Sequence, residues 1–236
     1  MKALILNSGL GHRMGDITKT HPKCMTEIGQ DETILSRQLK LLSKLGIKDV
    51  VMTTGYFEDV LVNYCDFLKL SLNIKFVKNP IYAQTNYIYS IYCARNELQD
   101  DIILMHGDLV FDESVLKAEI ESNNSVMKVS STIPLPEKDF KAVVKDGIVS
   151  KVGIEFFESA MEAQALYKLN KTDWLIWLDE IIKFCEEGNT KVYAENALNK
   201  ISNRFRLYAL DVKNTLCTEI DTPEDLMKVK EMLKNE

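Results

Sequence analysis

Two basic side chains, Arg13 and Lys23, follow a glycine-punctuated stretch, Asn7-Ser8-Gly9-Leu10-Gly11. Glycine lets a chain approach a ligand closely and leaves backbone N–H groups bare, so a turn of this kind binds phosphate. A guanidinium fork and an ammonium point charge beside it would bring full positive charge to a polyphosphate. Two acidic segments stand far downstream, His106-Gly107-Asp108 and Glu219-Ile220-Asp221. A nucleotide's Mg²⁺ takes one or two carboxylates, with phosphates and waters completing its octahedron. Asp108 is therefore the first candidate ligand. Asp221 and then Glu219 follow, because alternation along an extended chain puts those two on one face. A plainer role is open for each: Asp108 could cap the next turn, and Asp221 could extend the cap of the helix after it.

The elements that would position these groups alternate. Lys2–Leu6 reads as a buried strand feeding the glycine turn. Residues 32–45 carry apolar side chains at helical spacing and stop at Gly46. Strands at 50–52 and 74–77 flank a helix at 58–67. A helix at 87–98 then leads to Ile102-Ile103-Leu104-Met105, apolar throughout as a central parallel strand should be. This rhythm predicts a Rossmann-like, doubly wound α/β sheet, mixed but mostly parallel, with its site at the carboxyl ends of the strands. After about residue 122 the pattern turns antiparallel: 126–133, then 142–152 with Asp146-Gly147 as a hairpin turn, then 161–169. An amphipathic helix spans 172–187. A last helix follows Asp221, with Thr222 as N-cap, Pro223 first and Asp225 completing a capping box. The whole reads as one domain, with 1–133 and 206–236 as a nucleotide-binding core and 134–205 as a small inserted subregion.

Bulk composition excludes several classes. The chain has 236 residues and a net charge of −6, which disfavours nonspecific nucleic-acid binding. No apolar run is long enough to span a membrane, and no secretory leader opens the sequence. The five scattered cysteines form no C-x-x-C pair, which argues against a zinc site or disulfide framework and suggests the cytoplasm. Cys24 reads as a bystander thiol beside Lys23. The glycines match neither a dinucleotide fingerprint, which would need glycine at Met14, nor a Walker A loop.

The full spacing is more informative. Leu6 to Met14, then Thr18, then Pro22-Lys23, resembles the L-A-A-G-x-G-x-R-L-x-P-L-T…P-K opening of the sugar-nucleotidyltransferase family. It departs at Asn7, Ser8 and Asp16. The resemblance implies that Leu6, Asn7, Ser8, Gly9, Leu10 and Gly11, with Arg13 and Lys23, hold a nucleoside triphosphate. It also implies that Asp108 and Asp221 hold metal, since E-I-D-T-P-E-D-L at 219–226 is similar to the family's closing motif. Asn79-Pro80-Ile81-Tyr82-Ala83-Gln84-Thr85-Asn86-Tyr87-Ile88-Tyr89-Ser90 resembles the N-x-x-Y-x-x-T-N-x-x-Y-S segment of cytidylyltransferases acting on choline phosphate, 2-aminoethylphosphonate and phosphoglutamine in surface-glycan pathways. Gln84, Thr85, Asn86 and Ser90 could read a base or ribose without charge, and Thr85 or Asn86 could also cap the helix that follows.

That resemblance implies CTP and a small phosphorylated or phosphonylated amine as partners, with release of pyrophosphate and with Lys23, Arg13 and Asp108 at the chemistry. A monomer or homodimer is expected. Trp174 and Trp177 with Glu162 are candidates for a cationic acceptor head, and Lys141 for its phosphate; the plainer reading makes the tryptophans core residues of an amphipathic helix, Glu162 part of a solvated face and Lys141 an exposed strand lysine. Two other functions compete. One is a uridylyl- or thymidylyltransferase on a hexose 1-phosphate, against which the Gln84–Ser90 segment argues. The other is a nucleotide-binding regulatory protein without turnover.

Overall fold

The computed structural model describes residues 1–29 and 31–234. In chain order the strands are β1 (Lys2–Leu6), β2 (Glu27–Gly29), β3 (Glu32–Thr33), β4 (Asp49–Thr54), β5 (Asn73–Lys78), β6 (Ile102–His106), β7 (Leu109–Phe111), β8 (Val126–Ser130), β9 (Lys141–Lys145), β10 (Ile148–Gly153), β11 (Ala160–Leu169), β12 (Leu207–Asp211) and β13 (Cys217–Glu219). The helices are α1 (Ile34–Lys44), α2 (Glu58–Leu68), α3 (Tyr87–Ala94), α4 (Glu113–Glu121), α5 (Lys171–Glu186), α6 (Ala194–Lys200) and α7 (Pro223–Leu233). Short 3₁₀ turns occupy His12–Thr18, Lys23–Met25, Tyr82–Gln84 and Arg95–Glu97. The helix expected over 87–98 therefore tightens after Ala94. Helices α4 and α6 and strands β2, β3, β7 and β12 go beyond the elements read from the sequence.

Nine strands form one sheet in the order β5-β4-β1-β6-β11-β8-β12-β10-β9. Strands β5, β4, β1 and β6 run parallel, and β11 enters antiparallel between β6 and β8. Strand β9 also pairs the start of β11, so the far strands close into a ring. Strand period decides what faces where. Leu4, Leu6, Ile102 and Leu104 point into a core shared with α3, α5 and α6, whereas Ala3, Ile5, Ile103 and Met105 point into the core under α1, α2 and α4. Both faces of β1 and β6 are thus covered, as a doubly wound sheet requires. Segment 134–205 supplies β9, β10, β11, α5 and α6, and β11 lies against β6 in the central sheet.

Local chemistry sets the ends of these elements. Thr33 and Ser36 form a capping box on α1, as Thr222 and Asp225 do on α7, with Pro223 in the first turn. Asp146 and Gly147 take positive φ of 52° and 75°, which suits the primed turn of the β9–β10 hairpin. No helix among the described residues is long and apolar enough to cross a membrane.

Candidate functional site

The glycine turn and the acidic residues sit at strand ends, and Arg13 and Lys23 in the 3₁₀ turns that follow β1. β1 ends at Leu6, and Asn7 then donates its backbone N–H to Thr53 O of β4 (3.2 Å) while Ser8 Oγ donates to Thr53 Oγ1 (3.0 Å). The hydroxyl bond explains why a polar side chain is tolerated at Ser8, where the family motif has a small residue. The Asn7 carboxamide fills the space over Gly107, where any Cβ would overlap it, so β1 and β6 approach closely at this edge. Gly11 takes φ +65°, and Thr18 Oγ1 donates to its carbonyl (3.0 Å), which folds the turn toward Lys23.

A two-stranded ribbon unites the acidic segments. β7 begins just after Asp108, and β13 ends just before Asp221; the two strands pair antiparallel with Glu219 opposite Leu109. Ile220 N donates to Asp108 O (3.1 Å). A small apolar cluster of Met14, Ile28, Ile34, Val110, Ile220, Leu226 and Val229 backs this ribbon. Lys23 Nζ bridges the two acids, to Asp221 Oδ1 at 2.6 Å and to Asp108 Oδ2 through a short contact. Arg13 reaches Asp221 Oδ2 at 2.9 Å. His106 Nδ1 lies 3.0 Å from Glu219 Oε1.

The titrations follow from this crowding. Burial pushes the Asp108 carboxyl up, but the charge of Lys23 and then of His106 outweighs it and holds it low. Burial would lower Lys23, yet the two aspartates keep it above its ordinary value. Burial and repulsion from Asp108 raise Glu219. His106 is lowered by burial but raised more by Glu219, to about 8. Asp139, from the loop before β9, is raised by burial and by Asp221.

Three clefts meet at Asp108. One of about 350 Å³ runs under the glycine turn past Asn7, Gly9, Gly11, Arg13 and Lys23. A second, about 200 Å³, is walled by Ser8, Asn79, Tyr82, Thr85, Asn86, Tyr87 and Ser90. The third, about 340 Å³, is bounded by Tyr87, Phe140 and Tyr193 with Lys138, Asp139 and Glu219. Buried Asn79 organises the second: its amide donates to Thr85 Oγ1 and to Ser90 Oγ, both at 3.0 Å. Asn86 caps α3 by accepting from Tyr87 N (2.8 Å) and also lines the cleft, so capping does not withdraw it from there.

Several expected site residues lie elsewhere. Gln84 is exposed and lines none of the three clefts, because the 3₁₀ turn points it outward; the side chain of Leu10 lines none either. Trp174 and Trp177 are fully buried, and their indole N–H groups donate to Leu98 O (2.9 Å) and Ala194 O (3.0 Å). The phase of α5 turns both rings toward the sheet, so they are core residues rather than acceptor contacts. Glu162 is buried against Lys128 at 2.5 Å. Lys141 donates to the carbonyls of Pro136 (2.6 Å) and Asp139 (3.0 Å), which ties down the loop before β9 instead of facing the cleft. Cys24 is buried, and burial pushes its thiol far up.

Sequence reasoning missed Asp139 and Phe140, from the loop before β9, and Tyr193, from the loop before α6, which share no local signal. His106, Asn79, Tyr82 and Tyr87 stood inside the quoted motifs without an assigned part.

Oxygen ligands suit a hard divalent ion. Oxygens of Asp139, Glu219 and Asp221 lie within 4.8 Å of one another, as do ligand atoms of His106, Asp108 and Glu219. Asp108 Oδ1 is buried without a hydrogen-bond partner, as an atom awaiting such a ligand would be.

Comparison with known proteins agrees with this architecture. The choline-phosphate cytidylyltransferase of Streptococcus pneumoniae is 23% identical over 245 residues and aligns along the full length of both chains. The CTP:phosphoglutamine cytidylyltransferase of Campylobacter jejuni is 28% identical over 215 residues, 83% of this chain and 82% of its own. The solved CTP:phosphocholine cytidylyltransferase from Streptococcus pneumoniae superposes with a TM-score of 0.80 at 19% identity, over 98% of each chain. Because residues 3–130 match the MobA-like NTP transferase domain, the chain belongs to that family of nucleotidyltransferases.

Proposed function

We propose that the protein is a CTP-dependent cytidylyltransferase that joins CMP to a small phosphorylated or phosphonylated amine. The observation that carries this reading is the junction at Asp108 of a cationic, glycine-lined cleft with a cleft whose walls set rings and acids beside Arg13, His106 and Lys138, so that an acceptor's ammonium and its phosphorus oxyanion both find opposite charge. Phe140 and Tyr193 meet edge to face at 5.1 Å, and Tyr87 lies 5.9 Å from Tyr193. Ring faces beside Asp139 and Glu219 suit an ammonium head, which ring quadrupole and carboxylate charge both attract. The chemistry expected for an ammonium is therefore present, on residues other than the two tryptophans. Segment 134–205, which supplies Lys138, Asp139, Phe140 and Tyr193, serves as the acceptor-binding part. A hexose 1-phosphate offers no cation for these acids.

In this reading the glycine turn, Arg13 and Lys23 hold the triphosphate, and the Asn79–Ser90 segment takes the cytidine. An acceptor oxygen attacks the α-phosphorus in line as the bond to the β-phosphate oxygen breaks and pyrophosphate leaves. A phosphate or phosphonate oxygen is already ionised at neutral pH, so no general base is required. Positioning two anions and neutralising their charge is most of the task. Lys23 and Arg13 meet the charge that develops on the transferring phosphate and the leaving group. Asp108 and Asp221, with Glu219 and Asp139 at hand, would hold Mg²⁺, which supplies Lewis-acid charge to the phosphates.

Acceptor recognition is tested with Phe140→Ala and Tyr193→Ala. Each is expected to raise the KM for an aminated acceptor by about tenfold and to leave the KM for CTP unchanged. Equal KM values for acceptor in parent and variants, or faster transfer to glucose 1-phosphate than to every aminated acceptor, would refute the assignment.

A further inference from the structure

Glu195 lies in the first turn of α6, is 1% exposed, and lines none of the three clefts. A buried carboxylate must have its oxygens satisfied, and here two phenols do so. Tyr167 of β11 donates to Oε1 at 2.8 Å, and Tyr87 donates to Oε2 through a short contact. Burial and the adjacent Glu195 charge push both phenols far above their ordinary values, so both remain protonated donors.

The two tyrosines differ in surroundings. Tyr167 is core, packed edge to face on Trp177 at 5.4 Å. Trp177 in turn pins the start of α6 through Ala194 O, so Glu195 projects from a fixed platform. Tyr87 instead forms the wall between two clefts and lines both. Its ring stands edge-on to His106 at 4.7 Å. Next to it, Asn86 N donates to Thr190 O at 2.8 Å, which draws the loop before α6 against the start of α3.

We infer that Glu195 is a positioning residue: by holding the Tyr87 hydroxyl it fixes the ring wall shared by the nucleotide cleft and the acceptor cleft. The inference rests on the proposed function for the identity of the two ligands, and its test separates the two claims. Calorimetry with Mg²⁺ and each of the four ribonucleoside triphosphates is run on the parent, Glu195→Gln, Tyr87→Phe and the double variant. The triphosphate that the parent binds most tightly is the probe. Tyr87→Phe is expected to weaken that Kd by about tenfold, Glu195→Gln, which leaves one acceptor oxygen for two phenols, by about threefold or more, and the double variant by no more than the worse single, because both changes act on one link. With turnover measured, the acceptor KM should rise similarly while kcat stays within about threefold. Tighter binding of another triphosphate than CTP would overturn the nucleotide assignment and leave the Glu195 arm readable. Parental Kd and KM values in both single variants, or losses that multiply in the double variant, would overturn the positioning role. If Glu195→Gln does not fold, Tyr87→Phe decides alone, since it removes one hydroxyl and parental values there sink the inference.

Discussion

Asparagine in place of Asp108 is expected to lower kcat by at least about a thousandfold with little change in melting temperature. Asp108 lines all three clefts, so it faces whatever ligand enters any of them. Its Oδ2 is paired with Lys23, while its Oδ1 is buried and unpartnered. The substitution keeps the shape, so Lys23 retains Asp221 at 2.6 Å and the fold keeps its ribbon. What goes is the negative charge that would hold the divalent ion. Initial rates and a thermal melt on the same preparation check this; parental turnover in Asp108→Asn would remove Asp108 from the metal site.

Methionine in place of Lys23 is expected to have the second-largest effect, a fall of about a hundredfold or more in kcat. The same change should do the opposite to metal affinity. Lys23 is the ammonium that bridges Asp108 and Asp221, and those acids keep it charged well past neutral pH. Without it Asp108 loses its ammonium partner and Asp221 keeps only Arg13, with Glu219 and Asp139 nearby. Mn²⁺ alone should then bind about tenfold more tightly to Lys23→Met than to the parent, whereas CTP should bind more weakly. Electron paramagnetic resonance titration of Mn²⁺, without nucleotide, reads this directly. Equal Mn²⁺ affinity in the two proteins would show that Lys23 does not compete for those carboxylates.

The parts of the site legible in the sequence were those in which one short segment carries both the element and its chemistry. β1 runs into its glycine turn, β6 into His106-Gly107-Asp108, and β13 into Asp221 and the Thr222 cap. In each, alternation and end-residue chemistry suffice to place the group at a sheet edge. Legibility failed where direction depends on packing. Helical spacing cannot say which way α5 rotates, so Trp174 and Trp177 offered two readings until the sheet beneath them chose the core. Gln84 looked like its neighbours Thr85 and Asn86, but a 3₁₀ turn sends it outward. Asp139 and Phe140, neighbours in the loop before β9, meet Tyr193 from the loop before α6 only through the tertiary fold, which closes β9 onto β11. The fit of Asn7 over Gly107 exists only between adjacent strands, which is why a departure from the family motif at residue 7 could not be interpreted from the chain alone.

The measurement that bears most directly on the central claim is pyrophosphate release with Mg²⁺ across CTP, UTP, ATP and GTP. Each is paired with phosphocholine, phosphoethanolamine, 2-aminoethylphosphonate, phosphoglutamine and glucose 1-phosphate. Release with CTP and an aminated acceptor, at a rate at least about a hundredfold above every other nucleotide, is the predicted result. Release with UTP and glucose 1-phosphate, and none with CTP and any aminated acceptor, would contradict it.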